Sequence, residues 1–215
     1  MESRYVKKID LELLKTIESN SVDLVLTDPP YIISKKSGMQ SYRDSIENGG
    51  EVNEKYGKKF AVTTEFGEWD SSYTIDDLEK AINEFYRILR PGGSCIIFFD
   101  LWKIETLKGL LSKFSKHRLI EWIKTNPMPI NQYSTYLSNA REISISCVKG
   151  GKATFNSKYD KGIYEYPIYN GKDRFHPTQK SLPLFEELIT KHSNEGDIVV
   201  DPYAGSGTTA LAAKN

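Results

Sequence analysis

A short apolar run, Ser21-Val22-Asp23-Leu24-Val25-Leu26-Thr27, ends on Asp28-Pro29-Pro30-Tyr31. A run of this length and composition reads as a buried strand. Neither proline has an N–H, so the hydrogen-bond ladder must stop there and the chain must leave the sheet at the strand's carboxyl end. That single exit constrains how everything downstream can be arranged.

Downstream, strand and helix signals alternate. Ile75 to Leu89 reads as a helix: Thr74 caps it, Asp76 and Asp77 suit its first turn, and Leu78, Ile82, Phe85 and Leu89 mark one face. Pro91-Gly92-Gly93 is expected to stop it, and Cys95 to Asp100 is the next strand. A helix carrying Leu107, Leu110, Leu111 and Phe114 leads to a strand near Leu119 to Ile123. Ile143 to Val148 alternates strictly and reads as a half-exposed strand, and Leu182 to Ile189 (helix) and Ile198 to Val200 (strand) complete the pattern. Such alternation predicts an α/β fold, with a mostly parallel sheet and helices on both faces.

With 215 residues, 39% of them hydrophobic, the chain suffices for one domain with a sizeable core. No run of about 18 apolar residues appears, and Met1-Glu2-Ser3-Arg4 does not begin a secretory signal, so a cytoplasmic location is expected. Cys95 and Cys147 lie in apolar, β-prone runs and read as reduced core residues. His117, His176 and His192 make no ligand pattern, so no metal is expected.

Net charge is zero and argues for no partner by itself. Lysines and arginines do cluster between Leu101 and Lys124 and again between Lys149 and Lys180, although for either segment alone a solvated face is the plainer reading. Two stretches depart from the alternation. Ile32 to Phe66 is polar and too long for an ordinary connection, which predicts a mobile loop or lid. Thr125 to Asn139 mixes amides and aromatics (Asn126, Asn131, Gln132, Tyr133, Tyr136) suited either to reading or stacking on bases or to a proline-stiffened surface loop.

The chemistry of Asp28-Pro29-Pro30-Tyr31 follows from its backbone. The Pro29 carbonyl has no ladder partner to serve, and beside the Asp28 carboxylate it makes a pair of acceptors able to hold both hydrogens of one exocyclic NH2 group. Such an amine is a poor nucleophile while its lone pair is delocalised into a base; two fixed acceptors favour the pyramidal form that attacks carbon. Tyr31 offers a ring face for stacking, worth ~1–3 kcal/mol per base. The other possibility is a simple proline turn after a strand. At the far end of the chain, Asp201-Pro202-Tyr203-Ala204-Gly205-Ser206-Gly207-Thr208-Thr209 places two glycines and three hydroxyls between a strand and a helix, where a ligand can approach the backbone closely. It is neither a phosphate-binding loop nor a full dinucleotide fingerprint.

Together, DPPY at 28–31, HPTQK at 176–180 and DPYAGSGTT at 201–209 closely resemble the S-adenosylmethionine-dependent DNA amino-methyltransferases of the beta group. In that family the catalytic motif precedes the cofactor loop, as it does here, and the resemblance covers nearly the whole chain. It implies a circularly permuted Rossmann-like methyltransferase fold with one antiparallel strand in a mostly parallel sheet. It makes Asp28, Pro29, Pro30 and Tyr31 the catalytic set. Asp201, Tyr203, Ala204, Gly205, Ser206, Gly207 and Thr208 would line the S-adenosylmethionine pocket. His176, Thr178 and Lys180 would contact the cofactor's methionine end, Lys180 receiving its carboxylate, and Asp10 matches loosely a position beside the adenine.

The implied reaction is direct methyl transfer to a base flipped out of DNA, without a covalent enzyme intermediate. Asp at the first motif position is typical of adenine N6 enzymes in the family, with cytosine N4 as the alternative. A glutamine or RNA methyltransferase fits less well, since the related protein-modifying enzymes typically carry Asn there and lack the permuted order. Ile32 departs from the Asn frequent after the tyrosine. In the family the glycine-rich loop and its helix lead to another strand ending in a ribose-binding acid, whereas this sequence stops at Asn215. That motivates two further expectations, a fragment of a longer protein or a catalytically silent DNA-binding remnant. Residues 125–139 and 150–175 are the candidate target-recognition region, 32–66 an accessory loop, and a homodimer a possible source of further contacts.

Overall fold

The computed structural model describes residues 11–31, 73–127, 137–169 and 179–215, except for the side chain of Leu11. The chain forms two compact units, Met1–Pro29 with Asp76–Asn215, and Pro30–Ile75. Of the second only residues 30, 31 and 73–75 are described, so the expected loop 32–66 lies outside the described residues.

In chain order the elements are α1 (Leu11–Thr16), β1 (Val22–Thr27), α2 (Ile75–Ile88), β2 (Leu89–Phe99), a 3-10 turn (Leu101–Lys103), α3 (Ile104–Leu110), β3 (Ser115–Lys124), β4 (Arg141–Val148), β5 (Ile163–Tyr166), α4 (Leu182–His192), β6 (Val199–Val200) and α5 (Thr208–Lys214). The strands form one sheet in the order β5-β3-β4-β2-β1-β6. β1 runs parallel to β2 and β6, and β3 parallel to β5; β4 is antiparallel to both of its neighbours, β2 and β3. The mostly parallel sheet with one antiparallel strand is therefore as expected.

Alternation along the strands sorts the core into two faces. Leu24, Leu26, Ile96, Phe98, Ile120, Trp122 and Tyr164 pack with Leu184, Phe185, Leu188 and Ile189 of α4 and Ala212 of α5. Phe98 and Phe185 stack with ring centroids 5.6 Å apart. Val25, Cys95, Ile97 and Phe99 point the other way and are equally buried, as are Leu78, Ala81, Ile82, Phe85 and Ile88 of α2 and Leu107 of α3. Both faces of the sheet are thus covered. Pro183 in the first turn of α4 costs nothing, because the N–H it lacks would have no partner there.

Two local expectations are corrected. β4 is not half exposed: Ile143 to Val148 are all buried, including Ser144 and Ser146, because an interior strand between β2 and β3 has both faces covered whatever its alternation. Pro91-Gly92-Gly93 does not end the helix, which stops at Ile88; the three residues form an irregularity inside β2, where the register with β1 shifts between Val22 and Leu24. Gly92 is required there. Its φ is +87°, and a Cβ would lie 2.4 Å from the Lys152 carbonyl oxygen.

Cys95 and Cys147 are register partners on β2 and β4, buried and free, as expected. Lys108, Lys113, Lys116 and Arg118 are exposed, as a solvated face requires. No described helix is long and apolar enough to cross a membrane, and no group of metal ligands occurs among the described residues.

Candidate active site

The two motifs that begin and end the sequence meet in the sheet. β6 pairs with β1, Val200 opposite Val25, so the chain leaves both strands side by side, into Asp28-Pro29-Pro30 from one and Asp201-Pro202 from the other. Ligands of open α/β sheets sit at such carboxyl edges, where successive connections run in opposite directions.

A direct hydrogen bond ties the two exits. The Thr27 hydroxyl donates to Asp201 Oδ1 at 2.6 Å, while Thr209 donates to Oδ2 at 2.5 Å and the Tyr203 N–H to Oδ1 at 3.1 Å. Thr27 and Thr209 are themselves buried. Burial pushes the Asp201 carboxyl up to about 6, against the opposing pull of these donors. Both oxygens of Asp201 are therefore engaged in folding the glycine-rich loop back onto its own helix and onto β1.

Gly205 and Gly207 both have positive φ, 48° and 76°, and Gly207 is the N-cap of α5. A Cβ built on Gly205 would meet only the Tyr203 carbonyl, at 3.8 Å, which leaves the loop's outer side open to a ligand. Ser206 Oγ and Thr208 Oγ1 are 2.9 Å apart, and Tyr203 is buried beneath the turn.

Lys180 stands elsewhere than a cofactor contact alone would suggest. Its Nζ lies 3.0 Å from Asp28 Oδ2 and 2.5 Å from Glu142 Oε2, and over the Phe98 ring at 5.3 Å. Lys124 Nζ takes the other Glu142 oxygen, Oε1, at 2.7 Å. Burial disfavours the Glu142 anion, but the Lys180 and Lys124 charges outweigh it and hold the carboxyl at about 2. Four alternating charges, Asp28, Lys180, Glu142 and Lys124, thus cross the carboxyl edge of the sheet from β1 to β3.

Glu142, Lys124 and Thr27 are site residues that sequence reasoning missed. Glu142 precedes the expected strand Ile143 to Val148 and was not singled out, and Lys124 stood as one more cation in a basic run. The usable signal was that Glu142, Ser144 and Ser146 share one face of a strand that proves to be interior.

Of the remaining expected site residues, Asp10, His176 and Thr178 lie outside the described residues, and Pro30 and Tyr31 continue the chain into the second unit. Within the candidate recognition stretch, the Asn126 amide is committed to backbone: its Nδ2 donates to the Ile168 carbonyl at 3.1 Å and its Oδ1 accepts from the Ile168 N–H at 2.6 Å. β5, the edge strand of the sheet, falls inside the stretch 150–175. Residues 128–136 are outside the described residues. A cavity of about 360 Å³ opens at the other end of the sheet, lined by Ser94, Ser146, Tyr164 and His192 among others, and none of the motif residues lines it.

Comparison with known proteins fits this geometry. The chain is 30% identical over 226 residues to the Type II methyltransferase M.HinfI of Haemophilus influenzae, covering 95% of this chain and 59% of that protein. It is 29% identical to the Type II methyltransferase M.HpaI of Haemophilus parainfluenzae, covering all of this chain and 68% of the relative. The chain thus spans roughly three fifths to two thirds of these relatives' length. Among solved structures, that of the M1.HpyAVI–SAM complex superposes with a TM-score of 0.62 at 28% identity, over 95% of this chain and 84% of the other. The N6/N4 methyltransferase family model, described as DNA methylase, matches residues 22–215. The chain belongs to the N6/N4 family of DNA methylases.

Proposed function

We propose that this chain transfers a methyl group from S-adenosylmethionine to the exocyclic N6 amine of adenine in a specific DNA sequence. The observation that carries the reading is the Thr27–Asp201 hydrogen bond: it ties the strand end that leads into Asp28-Pro29-Pro30-Tyr31 to the start of the glycine-rich turn, which supports acceptor and donor sites at one sheet edge. The match to the DNA methylase family and the relatives named as Type II methyltransferases support methyl transfer to DNA.

The loop fits the cofactor. Its two left-handed glycines leave the backbone accessible, and Tyr203, Ala204, Gly205, Ser206, Gly207 and Thr208 would hold it, with Asp201 bracing the loop. S-adenosylmethionine, when bound, supplies an electrophilic methyl group on sulfonium sulfur. The chain's own residues do the rest. Asp28 and the Pro29 carbonyl accept the two amine hydrogens, which draws the nitrogen lone pair out of conjugation and aims it. A base must leave the duplex stack to reach them, and Tyr31 provides the surface on which it stacks. Residues 125–139 and 150–175 would supply sequence recognition, with a partner copy or residues 32–66 adding contacts. Adenine is preferred to cytosine N4 on the aspartate that opens the motif.

Incubation of the chain with methyl-labelled S-adenosylmethionine and mixed-sequence DNA tests the reading. Label should appear in DNA with wild type and not with Asp28→Ala. Absence of label from wild type, under conditions where calorimetry shows the cofactor bound, would refute it.

A further inference from the structure

Lys180 invites a role at the donor end, because the segment it closes is the one expected to meet the cofactor. The geometry points instead to the acceptor end: we propose that Glu142, with Lys124 behind it, is a positioning residue that fixes Lys180 against Asp28, and that Lys180 orients the amine-accepting carboxylate rather than the cofactor's carboxylate. The inference rests on the amine-holding role given to Asp28 above.

Asp28 follows the last residue of β1 and precedes two prolines. Lys180 Nζ lies 3.0 Å from its Oδ2. A lysine is a poor fixture by itself, having a flexible stem with considerable rotamer entropy to lose. Here the stem is buried, the ammonium sits over Phe98, and Glu142 takes it at 2.5 Å. Glu142 is held in turn by Lys124 on its second oxygen and by its place on β4, opposite Trp122 of β3, which is itself buried. Side chains of Glu142 and Lys124 are only 20% and 12% exposed, so this is not a solvated surface pair of negligible worth. The fixture therefore reaches Asp28 from two strands of the sheet interior.

Charge gives Glu142 a second effect. An ammonium serving Asp28 alone would neutralise the carboxylate just where the amine nitrogen becomes positive during attack. Sharing that ammonium with Glu142 leaves Asp28 a stronger acceptor, since the alternating series sums to zero instead of to a net cation. A buried pair that loses one partner leaves the other charge uncompensated, so the effect should pass along the series.

The test uses Glu142→Gln, Lys180→Met and the double variant, with melting temperature confirming the fold. Glu142→Gln is expected to lower kcat for methyl transfer ten- to hundredfold while calorimetric affinity for S-adenosylmethionine stays within twofold. The double variant should be no slower than Lys180→Met, and Glu142→Asp should recover part of the loss. Independently of turnover, the carboxyl-carbon NMR resonance of Asp28, assigned by its loss in Asp28→Asn, should move in Glu142→Gln and move in the opposite direction in Lys180→Met. An unmoved resonance in Glu142→Gln, additive kinetic losses, or a tenfold loss of cofactor affinity in Lys180→Met would overturn the proposal. A wild-type chain that transfers no methyl group would refute the proposed function, and the resonance would still decide the positioning.

Discussion

Lys180 Nζ and Asp28 Oδ2 lie 3.0 Å apart, although one residue closes the segment before α4 and the other follows β1. This contact joins two of the three motifs in the sequence, and the Thr27–Asp201 hydrogen bond joins the first to the third. The sheet edge is thereby organised around Asp28, the proposed amine acceptor, with the glycine-rich loop to one side.

Replacing Asp28 by Ala removes the proposed carboxylate acceptor and takes one of its carboxylate contacts from Lys180, Glu142 remaining at 2.5 Å. Methyl transfer should fall by a factor of at least 10²–10³, the scale of losing one preorganised group at a reacting centre. Affinity for S-adenosylmethionine should change little, because Asp28 serves the other substrate. Single-turnover kinetics beside calorimetry separate the two effects; parallel loss of both would place Asp28 on the cofactor.

Asp201 makes a contrasting prediction. Its Ala variant orphans the buried hydroxyls of Thr27 and Thr209, so stability should drop by about 1–3 kcal/mol for each donor left unpaired, and cofactor affinity should fall with the loop's geometry. The wild-type carboxyl binds its proton more tightly in the folded state, at about 6, than an unfolded aspartate does, at ~3.9. Its contribution is accordingly complete below ~pH 4 and diminishes as pH rises through about 6. Urea unfolding of wild type and Asp201→Asn over that range should show the difference between them vary with pH.

Much of this was legible in the sequence. Asp28-Pro29-Pro30 follows the end of a strand because proline cannot donate to a ladder, and the motifs mark the first and last strands along the chain, which are neighbours in the sheet. What stayed hidden depended on tertiary neighbours. Alternation in Ile143 to Val148 reports which residues share a face, not whether that face is wet, so nothing in it singled out Glu142, the residue just before. Lys180 was read with the helix that follows it, yet its partners come from β1 and β4. Asn126 resembled a base reader, and only the return of the chain at Ile168 shows its amide already engaged.

His192 sets an acid limit on the fold. It ends α4, packs edge-on against Phe155 with centroids 5.1 Å apart, and stands beside Lys191, which is paired with Asp160 and Glu187 at 2.5 Å each. Burial, with the Asp160 charge opposing it, lowers its pKa to about 4. The unfolded chain thus binds a proton more readily than the folded one, and stability falls as pH drops from ~6.5 through about 4, by about 3 kcal/mol at full extent. Denaturant unfolding at pH 7 and pH 4 should show a smaller acid loss for His192→Gln than for wild type.

The central claim is methyl transfer to adenine N6. DNA treated with the chain and S-adenosylmethionine, then digested to nucleosides and resolved by mass spectrometry, tests it most directly. The account predicts N6-methyladenine in wild-type reactions and none with Asp28→Ala; N4-methylcytosine as the sole modified nucleoside would contradict it.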